Sequence, residues 1–237
     1  MIAAPASAMA SPQEFQTFVF LDVETTGLPP AQPCIAELCL FAVNRHSLQC
    51  PALDLSQFPQ PPRILDKLTL CIDPEKPFAP KAEEITGLSN QTLEENCKPH
   101  FNSAVVEAMR AFLDRQAGPI CLVAHNGLGF DFPLLRTELW RVDADLPPDT
   151  SCLDTLPALK DLDQAANKSY RLGEVFRRFY GQDPVGAHSA EGDVLTLLLV
   201  FLAKAPSLME WAAVNARSWG EIKPMYPPSP LSRRNWR

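Results

Sequence analysis

The 237-residue chain is long enough for one α/β domain with a proper core, or for one domain with appendages. Its 46% apolar and 21% charged residues are typical of a soluble globular protein, and no run of 18 apolar residues predicts a membrane-spanning helix. The net charge of −7 argues only weakly against a polyanionic partner, because carboxylates that bind divalent cations reverse the local sign.

The seven cysteines are an odd number and contain no C-x-x-C pair. Cys39, Cys71 and Cys121 lie within apolar, strand-like runs, which favours buried, reduced thiols over a disulfide framework. We therefore expect a protein of the nucleus or the cytoplasm that is neither secreted nor transmembrane. Structural zinc is not expected, because no Cys/His cluster has ligand spacing.

The two ends of the chain are predicted to be disordered, as a leader over residues 1–16 and a Pro-rich basic tail over 227–237. After the leader, apolar runs predict strands at 17–23, 35–44 and 63–72. These three strands are close in sequence, so they are able to form an antiparallel meander.

Strands and helices then alternate along the chain. Short apolar runs predict strands at 119–125 and 151–155. Helical spacing predicts helices at 89–96, 102–116, 132–142, 156–162, 172–180, 190–203 and 207–217. Three antiparallel strands followed by strand–helix alternation predict a mixed sheet with helices on both faces.

Two carboxylates stand at the end of the first apolar strand. Asp22 and Glu24 are two residues apart, so they point to the same face of the sheet. Protonation, a basic partner or a divalent metal would offset their repulsion, and no Lys or Arg occurs nearby before Arg45. Metal is the favoured explanation, with Mg²⁺ or Mn²⁺ as the ions that suit oxygen ligands. The second D-x-E, at 73–75, contains a proline and predicts only a solvated turn.

Two further acids follow polar loops at the start of predicted helices. Asp131 comes after a buried strand and a glycine-containing loop, and Asp193 follows His188 by five residues. Taken singly, each has an ordinary explanation: Asp131 as a helix cap, His188 as a loop residue, and Asp193 or Glu191 as a first-turn acid.

Taken together, these residues form an ordered pattern of D-x-E, N-x-x-x-[F/Y]-D and H-x-x-x-x-D. The pattern resembles the three motifs of the DEDDh 3′→5′ exonucleases and is made up of Asp22, Glu24, Asn126, Phe130, Asp131, His188 and Asp193. The stretches LDKLTLC, EITGLS, CLDTLPALK and PMY further resemble the three-prime repair exonuclease (TREX) family over 17–226. The similarity is greater to the shorter mammalian type, which has no membrane tail.

The resemblance implies an RNase H-like fold and a metal-dependent exodeoxyribonuclease domain at 17–226. In the roles it implies, Asp22 bridges two Mg²⁺ ions, for which Mn²⁺ can substitute, Glu24 and Asp193 hold one ion, and Asp131 supports the other. His188 is the implied general base, since histidine side chains exchange protons near neutral pH. The implied substrate is a DNA 3′ end, and the products are nucleoside 5′-monophosphates.

The implied contacts to the substrate surround the metal ligands. They are Glu24, Thr25, Leu28, Ile85, His125, Asn126, Phe130, Lys160, Ser169 and Tyr170. Ile85 has an alternative explanation as a core residue, and Lys160 as a solvated surface lysine. Gly129 and the short 163–168 loop depart from the family, because both lack cationic residues that family members carry there.

The family forms homodimers through its third strand, which implies pairing of the 63–72 edges here. Three alternatives remain open from the sequence: an RNA-directed DEDDh exonuclease, a proofreading exonuclease, and a nucleic-acid-binding module that has lost catalysis. Retention of all four acids together with His188 argues against the last of these.

Overall fold

The computed structural model describes residues 13–49, 60–163 and 168–227. Its centre is a six-stranded mixed sheet in the order β3-β2-β1-β4-β5-β6. The strands are β1 (Thr17–Thr25), β2 (Ile35–Asn44), β3 (Asp66–Cys71), β4 (Ile120–Ala124), β5 (Ser151–Asp154) and β6 (Arg217–Ser218). The β1–β2, β2–β3 and β5–β6 pairs are antiparallel, whereas β4 is parallel to both β1 and β5. The predicted fold class is confirmed.

Helices cover both faces of this sheet. They are α1 (Arg45–Gln49), α2 (Pro80–Thr86), α3 (Asn90–Glu95), α4 (Ser103–Asp114), α5 (Asp131–Arg141), α6 (Thr155–Asp163), α7 (Leu172–Tyr180), α8 (Ala190–Leu202) and α9 (Ala205–Asn215). In the described part of the chain, no single helix has the length and apolar character to cross a membrane, and α8 with α9 meets that test only as a pair bent by 98°.

Strand β1 is apolar on both sides because it separates two cores. Phe18 and Phe20 pack with α8 and α9 on one face, and Val19 and Leu21 pack with α4 and α5 on the other. Because alternate residues of a strand point to the same face, Asp22 lies on the face that carries Phe18 and Phe20. The end of β1 therefore presents carboxylates to the side that is covered by α8.

The bounds of the elements follow the apolar periodicity closely. The strand at 35–44 and the helix at 172–180 have the predicted ends, and Ser89 caps α3 as predicted. The third strand is shorter than the predicted 63–72, since pairing with β2 begins only at Asp66. Helices α1 and α2 were not predicted; both are short, and α2 has no side-chain cap such as the one that Ser89 provides for α3.

The predicted 1–16 leader is wrong for residues 13–16. Phe15 is only 1% exposed, and its ring meets that of Phe18 edge-on at 5.9 Å. The backbone N–H of Gln16 donates to the carbonyl of Pro119 at 2.8 Å, which ties this segment to the start of β4. The domain therefore begins before β1. The rest of the predicted leader, and all of the predicted tail except the exposed Pro227, lie outside the described residues.

Candidate active site

Three carboxylates from two elements meet at the carboxyl end of β1. Asp22 and Glu24 are on β1, and Asp193 is in the first turn of α8. One oxygen from each of the three lies within 4.8 Å of the others. The alternation along β1 and the packing of α8 on the same face bring these residues together, although 169 positions separate Glu24 from Asp193 in the sequence.

Asp131 approaches the same place from α5, of which it is the first residue. Its side chain is buried, and the backbone N–H of Val23 donates a hydrogen bond to it. Val23 lies between Asp22 and Glu24 in β1, so this bond ties Asp131 to the strand that carries them, and the negative charge of Asp131 helps to raise the pKa of Asp22. We call Asp22, Glu24, Asp131 and Asp193 the four-acid site.

Burial and mutual repulsion raise the pKa values of these carboxyl groups. Burial is the main cause for Asp22, whose pKa lies well above its ordinary value, and the charges of Asp131 and Asp193 add to it. Burial, followed by the charges of Asp193 and Glu37, raises the pKa of Glu24 to about 7. Burial likewise raises the pKa of Asp131 to about 7, with Asp154 contributing and backbone N–H groups opposing.

No ion pair among the described residues involves any member of the four-acid site. The site therefore collects negative charge without a protein cation to balance it, and every donor atom is a carboxylate oxygen. Such a set fits hard divalent cations such as Mg²⁺ or Mn²⁺. The arrangement fits the predicted metal cofactor chemically.

His188 lies on the loop that leads into α8. Its backbone has a positive φ of 69°, and its N–H donates to the carboxylate of Asp193 at 3.1 Å. The side chain is exposed and lines the same cleft as Asp22 and Asp193. The position suits a group that exchanges a proton with a reactant in the cleft.

Gly192 holds this loop close to the helix. A Cβ at residue 192 would stand 1.9 Å from the carbonyl oxygen of Gly186, so only glycine permits this approach. Ser189 is the N-cap of α8, accepting from Gly192 N–H at 3.2 Å and donating to the Gly186 carbonyl at 2.9 Å. The contacts place His188 and Asp193 at one end of α8.

The cleft beside the four-acid site has a volume of about 500 Å³. It is bordered by the start of α7 and by the loop before α8. Its lining residues include Asp22, His125, Arg171, Arg177, His188 and Asp193. Arg177 is already paired with Glu174 at 2.8 Å and with Asp183. The side chain of Arg171 is exposed and forms no ion pair with the described part of the chain.

The turn after β1 exposes an apolar side chain next to the carboxylates. Thr25 Oγ1 donates to the Gly27 carbonyl at 2.7 Å, which fixes the turn, and Leu28 is 69% exposed. The Ala79 N–H, at the start of α2, donates to the Thr26 carbonyl at 2.8 Å. Helix α2 carries Ile85, which is 41% exposed, so the interpretation of Ile85 as a core residue is wrong.

His125 is held by both of its ring nitrogens. Nδ1 lies 2.8 Å from Thr155 Oγ1, and Nε2 lies 2.7 Å from the carbonyl oxygen of Tyr170. Because a carbonyl only accepts, Nε2 donates, and Nδ1 of the neutral ring accepts from the threonine. Burial lowers the pKa of His125, which favours this neutral form. Tyr170 is thereby tied through its backbone to a residue that lines the cleft, although Tyr170 itself is not a lining residue.

The four other predicted contacts lie on α6 and on the segments before α5 and α7. Asn126 has a positive φ of 62° in the loop before α5, and Phe130 is the last residue before that helix. Lys160 is exposed, and its charge helps to lower the pKa of His125. Ser169 is exposed beside Tyr170. None of these four lines the cleft in the described part of the chain.

Two further acids at the site were missed in the sequence. Asp154 ends β5 and accepts the backbone N–H groups of Asn126 at 2.9 Å and Leu128 at 3.1 Å. Glu37 lies on β2 directly opposite Glu24. Each is an acid within or at the end of an apolar strand, which is the signal that identified Asp22 and Glu24.

Comparison with known proteins agrees with this geometry. The sequence model of the Exonuclease family matches residues 19–201. The nuclease domain of 3′hExo, a DEDDh family member solved with rAMP, superposes with a TM-score of 0.64 at 13% identity, covering 86% of this chain and 97% of that one. A complex of Escherichia coli exonuclease I with single-stranded DNA superposes with a TM-score of 0.60 at 20% identity. The match covers 83% of this chain and 42% of that one. The family match defines an exonuclease, and the superpositions agree with it in fold.

Relatives of higher sequence identity show to which family of exonucleases the chain belongs. Three prime repair exonuclease 2 of Mus musculus is 57% identical over 93% of this chain and 97% of its own length. The Homo sapiens protein of the same name is 55% identical with the same coverage, and three-prime repair exonuclease 1 of Bos taurus is 46% identical over 91% and 72%. The chain belongs to the three prime repair exonuclease family and is a 3′→5′ exonuclease, a hydrolase.

Proposed function

We propose that the protein removes nucleoside 5′-monophosphates one at a time from the 3′ ends of DNA, using two Mg²⁺ ions, in DNA repair or DNA degradation. One observation carries the proposal: three carboxylate oxygens converge within 4.8 Å, and no ion pair with a described residue balances their charge. The names of the two three prime repair exonuclease 2 relatives given above support the choice of the 3′ end and the connection with repair.

Asp22, Glu24, Asp131 and Asp193 would hold the ions. Bound divalent cations would activate a water molecule and stabilise the charge of the leaving 3′ oxygen. The carboxylates of the protein contribute the negative charge that attracts these ions into the cleft. Burial of the carboxylates strengthens that attraction, because it removes the water that would otherwise screen them.

His188 acts as the general base in this proposal. Its backbone N–H is bonded to Asp193, so its ring stays next to the four-acid site while remaining exposed to the cleft. The ring accepts a proton from the attacking water and passes it to solvent. Neutral His125 has both nitrogens engaged within the protein, which leaves His188 as the histidine lining the cleft that is available for this step.

Leu28 and Ile85 receive the terminal nucleotide without reading its sequence. Both are large apolar side chains that the fold leaves exposed, and α2 is bonded to the turn that carries Leu28. An apolar side chain packs against any base, since every base has an apolar face. Arg171 supplies a positive charge for a phosphate of the strand, because Arg177 is already occupied by two carboxylates.

We further propose a homodimer that pairs the β3 edges of two copies. Strand β3 is at one end of the sheet, and its outer side pairs with no described strand. Unpaired backbone N–H and C=O groups along such an edge are able to pair with another chain. The cysteines of the described residues are free thiols, a form that suits the proposed location in the nucleus or cytoplasm.

The test uses DNA and RNA strands of matched sequence, labelled at one end or the other, with Mg²⁺, with Mn²⁺ and with EDTA. We expect immediate release of mononucleotides from 3′-labelled DNA, metal dependence, and slower cleavage of RNA. Glu24→Gln should abolish release, whereas Glu75→Gln should not, since Glu75 belongs to the exposed D-x-E. Faster cleavage of RNA would favour the RNA-directed alternative, and no release with either metal would favour a binding module.

A further inference from the structure

Glu37 is a half-buried acid in a strand whose other residues up to Val43 are buried and apolar. It pairs directly with Glu24 across β1 and β2, and therefore faces the side of the sheet that carries Asp22. No ion pair among the described residues involves Glu37. An acid in such a place is costly unless it has a specific role or a strong partner.

The partner of Glu37 is the first backbone N–H of α8. Its Oε2 accepts from Ala190 N–H at 2.9 Å. The N–H groups in the first turn of a helix have no acceptor within the helix, and they carry the positive end of its dipole. Glu37 satisfies one of them and thereby joins β2 to the start of α8.

This contact lies at the point where α8 enters the four-acid site. Asp193 is three residues after Ala190 in the same first turn, and the Asp193 N–H donates to the Ser189 carbonyl at 2.9 Å. Since the turn is rigid, fixing Ala190 on β2 also fixes where the carboxylate of Asp193 stands relative to Glu24. The oxygens of Glu37 are not among those of the 4.8 Å group, so its contact is with the helix that carries a ligand.

Glu37 also adds negative charge to the site. Its carboxylate lies on the strand position directly opposite Glu24 and on the sheet face that carries Asp22, and no described cation pairs with it. Any group that disfavours the ionised acids without a cation will favour binding of a cation by the same electrostatic interaction.

We propose that Glu37 is a positioning residue of the four-acid site: it holds Asp193 in place through Ala190 and strengthens divalent-ion binding by its charge, without itself being a ligand. The proposal rests on the metal-dependent function proposed above. Glu37 lies on β2, whereas the four acids lie on β1, α5 and α8. The affinity of the site for divalent ions would therefore depend on a residue from a further strand.

Two substitutions of Glu37 distinguish the effect of its hydrogen bond to Ala190 from the effect of its negative charge. Glu37→Gln keeps a side-chain oxygen that can accept from Ala190 N–H but loses the charge. Glu37→Ala loses both. The control is Glu191→Gln, which removes the same charge from the next residue after Ala190, where the side chain is exposed and paired with Lys67 at 2.8 Å.

The measurements are Mg²⁺ and Mn²⁺ binding to the full chain by calorimetry, the metal-dependent rise in melting temperature, and kcat against Mg²⁺ concentration. We expect Glu37→Gln to weaken ion binding on the order of tenfold while kcat at saturating Mg²⁺ stays within about twofold. Glu37→Ala should weaken binding further and also lower kcat at saturation, because Asp193 is no longer held. Glu191→Gln should change ion binding by less than about twofold.

The outcomes test the proposed metal cofactor and the proposed role of Glu37 separately. If the unmodified protein binds no divalent ion, the proposed cofactor fails, whatever the variants do. If the unmodified protein binds ions and both Glu37 variants bind them equally well, the proposal for Glu37 alone is overturned. Equal losses in Glu37→Gln and Glu191→Gln would also overturn it, since net charge would then explain both. If Glu37→Ala does not fold, Glu37→Gln and its control still decide the contribution of the charge.

Discussion

Replacing Glu24 with glutamine should make the metal-free protein more stable at pH 8 while abolishing its response to divalent ions. The substitution keeps the shape of the side chain and removes one charge from the crowded end of β1. No side-chain hydrogen bond from a described residue to Glu24 is lost. The expected gain comes from relief of burial and repulsion, the causes that raise the pKa of Glu24 to about 7.

The size of the gain follows from the shift in pKa and depends on pH. The pKa of Glu24 is 4.5 in its ordinary state and about 7 in the folded protein, and a difference of one in pKa corresponds to about 1.4 kcal/mol. The folded state therefore binds more protons than the unfolded state between these values, so stability falls as pH rises from about 4.5 to about 7. The loss of stability caused by ionised Glu24 is nearly absent below pH 4.5 and reaches its full size above pH 7.

At pH 8 the substitution should recover about 2–3 kcal/mol, after allowance for partial exposure of the side chain. For a protein of this size that gain raises the melting temperature by about 5–10 °C. At pH 4.5 the gain should be less than about 0.5 kcal/mol, because Glu24 is then largely protonated in the folded state.

The assay is thermal or denaturant unfolding of the metal-free protein in EDTA at pH 4.5 and pH 8, repeated at pH 8 with Mg²⁺. Glu75→Gln is the matched control, since Glu75 belongs to the exposed D-x-E and should change stability by less than about 0.5 kcal/mol. The reasoning is refuted if Glu24→Gln is no more stable than the unmodified protein at pH 8, or if its gain is equal at the two pH values.

Three further predictions concern the cleft. His188→Ala should lower kcat by about 10²- to 10⁴-fold with an unchanged Mg²⁺-dependent rise in melting temperature, whereas loss of that rise would make His188 a ligand. Leu28→Ala and Ile85→Ala should each raise KM for DNA by roughly 5- to 20-fold, measured by steady-state release of mononucleotides, and unchanged KM would exclude them as contacts. Arg171→Ala should weaken DNA binding and reduce the slope of log affinity against log salt by about 1, while Arg217→Ala on the β6 edge should leave the slope unchanged.

The sequence predicts the parts of the site that depend on local periodicity. Alternation along β1 places Asp22 and Glu24 on one face whatever the rest of the fold does. The apolar run of β2 has clear ends, so its predicted bounds are those of the structure. Asp193 follows an N-cap serine and precedes a strongly apolar segment, which locates it in a first turn without knowledge of tertiary structure.

Features that depend on pairing between distant segments were not predictable in the same way. Glu37 is an acid in an apolar run, and its place beside Glu24 follows only from the register of β1 with β2. Phe15 belongs to the core because the segment before β1 is bonded to the residue that precedes β4. Ile85 is apolar, so its residue type alone does not distinguish a core position from the exposed position that the structure shows.

The six acids in and beside the four-acid site differ in how far backbone hydrogen bonds compensate their negative charge. Four of the carboxylates accept backbone N–H groups: Glu37, Asp131, Asp154 and Asp193. Within residues 13–49, 60–163 and 168–227, neither the backbone nor a side chain donates a hydrogen bond to the carboxylate of Asp22 or Glu24. A backbone N–H stabilises an ionised carboxylate, so the protein itself provides part of the compensation for the first four. The proposed cations would therefore stabilise Asp22 and Glu24, near the carboxyl end of β1, more than the other acids of the site.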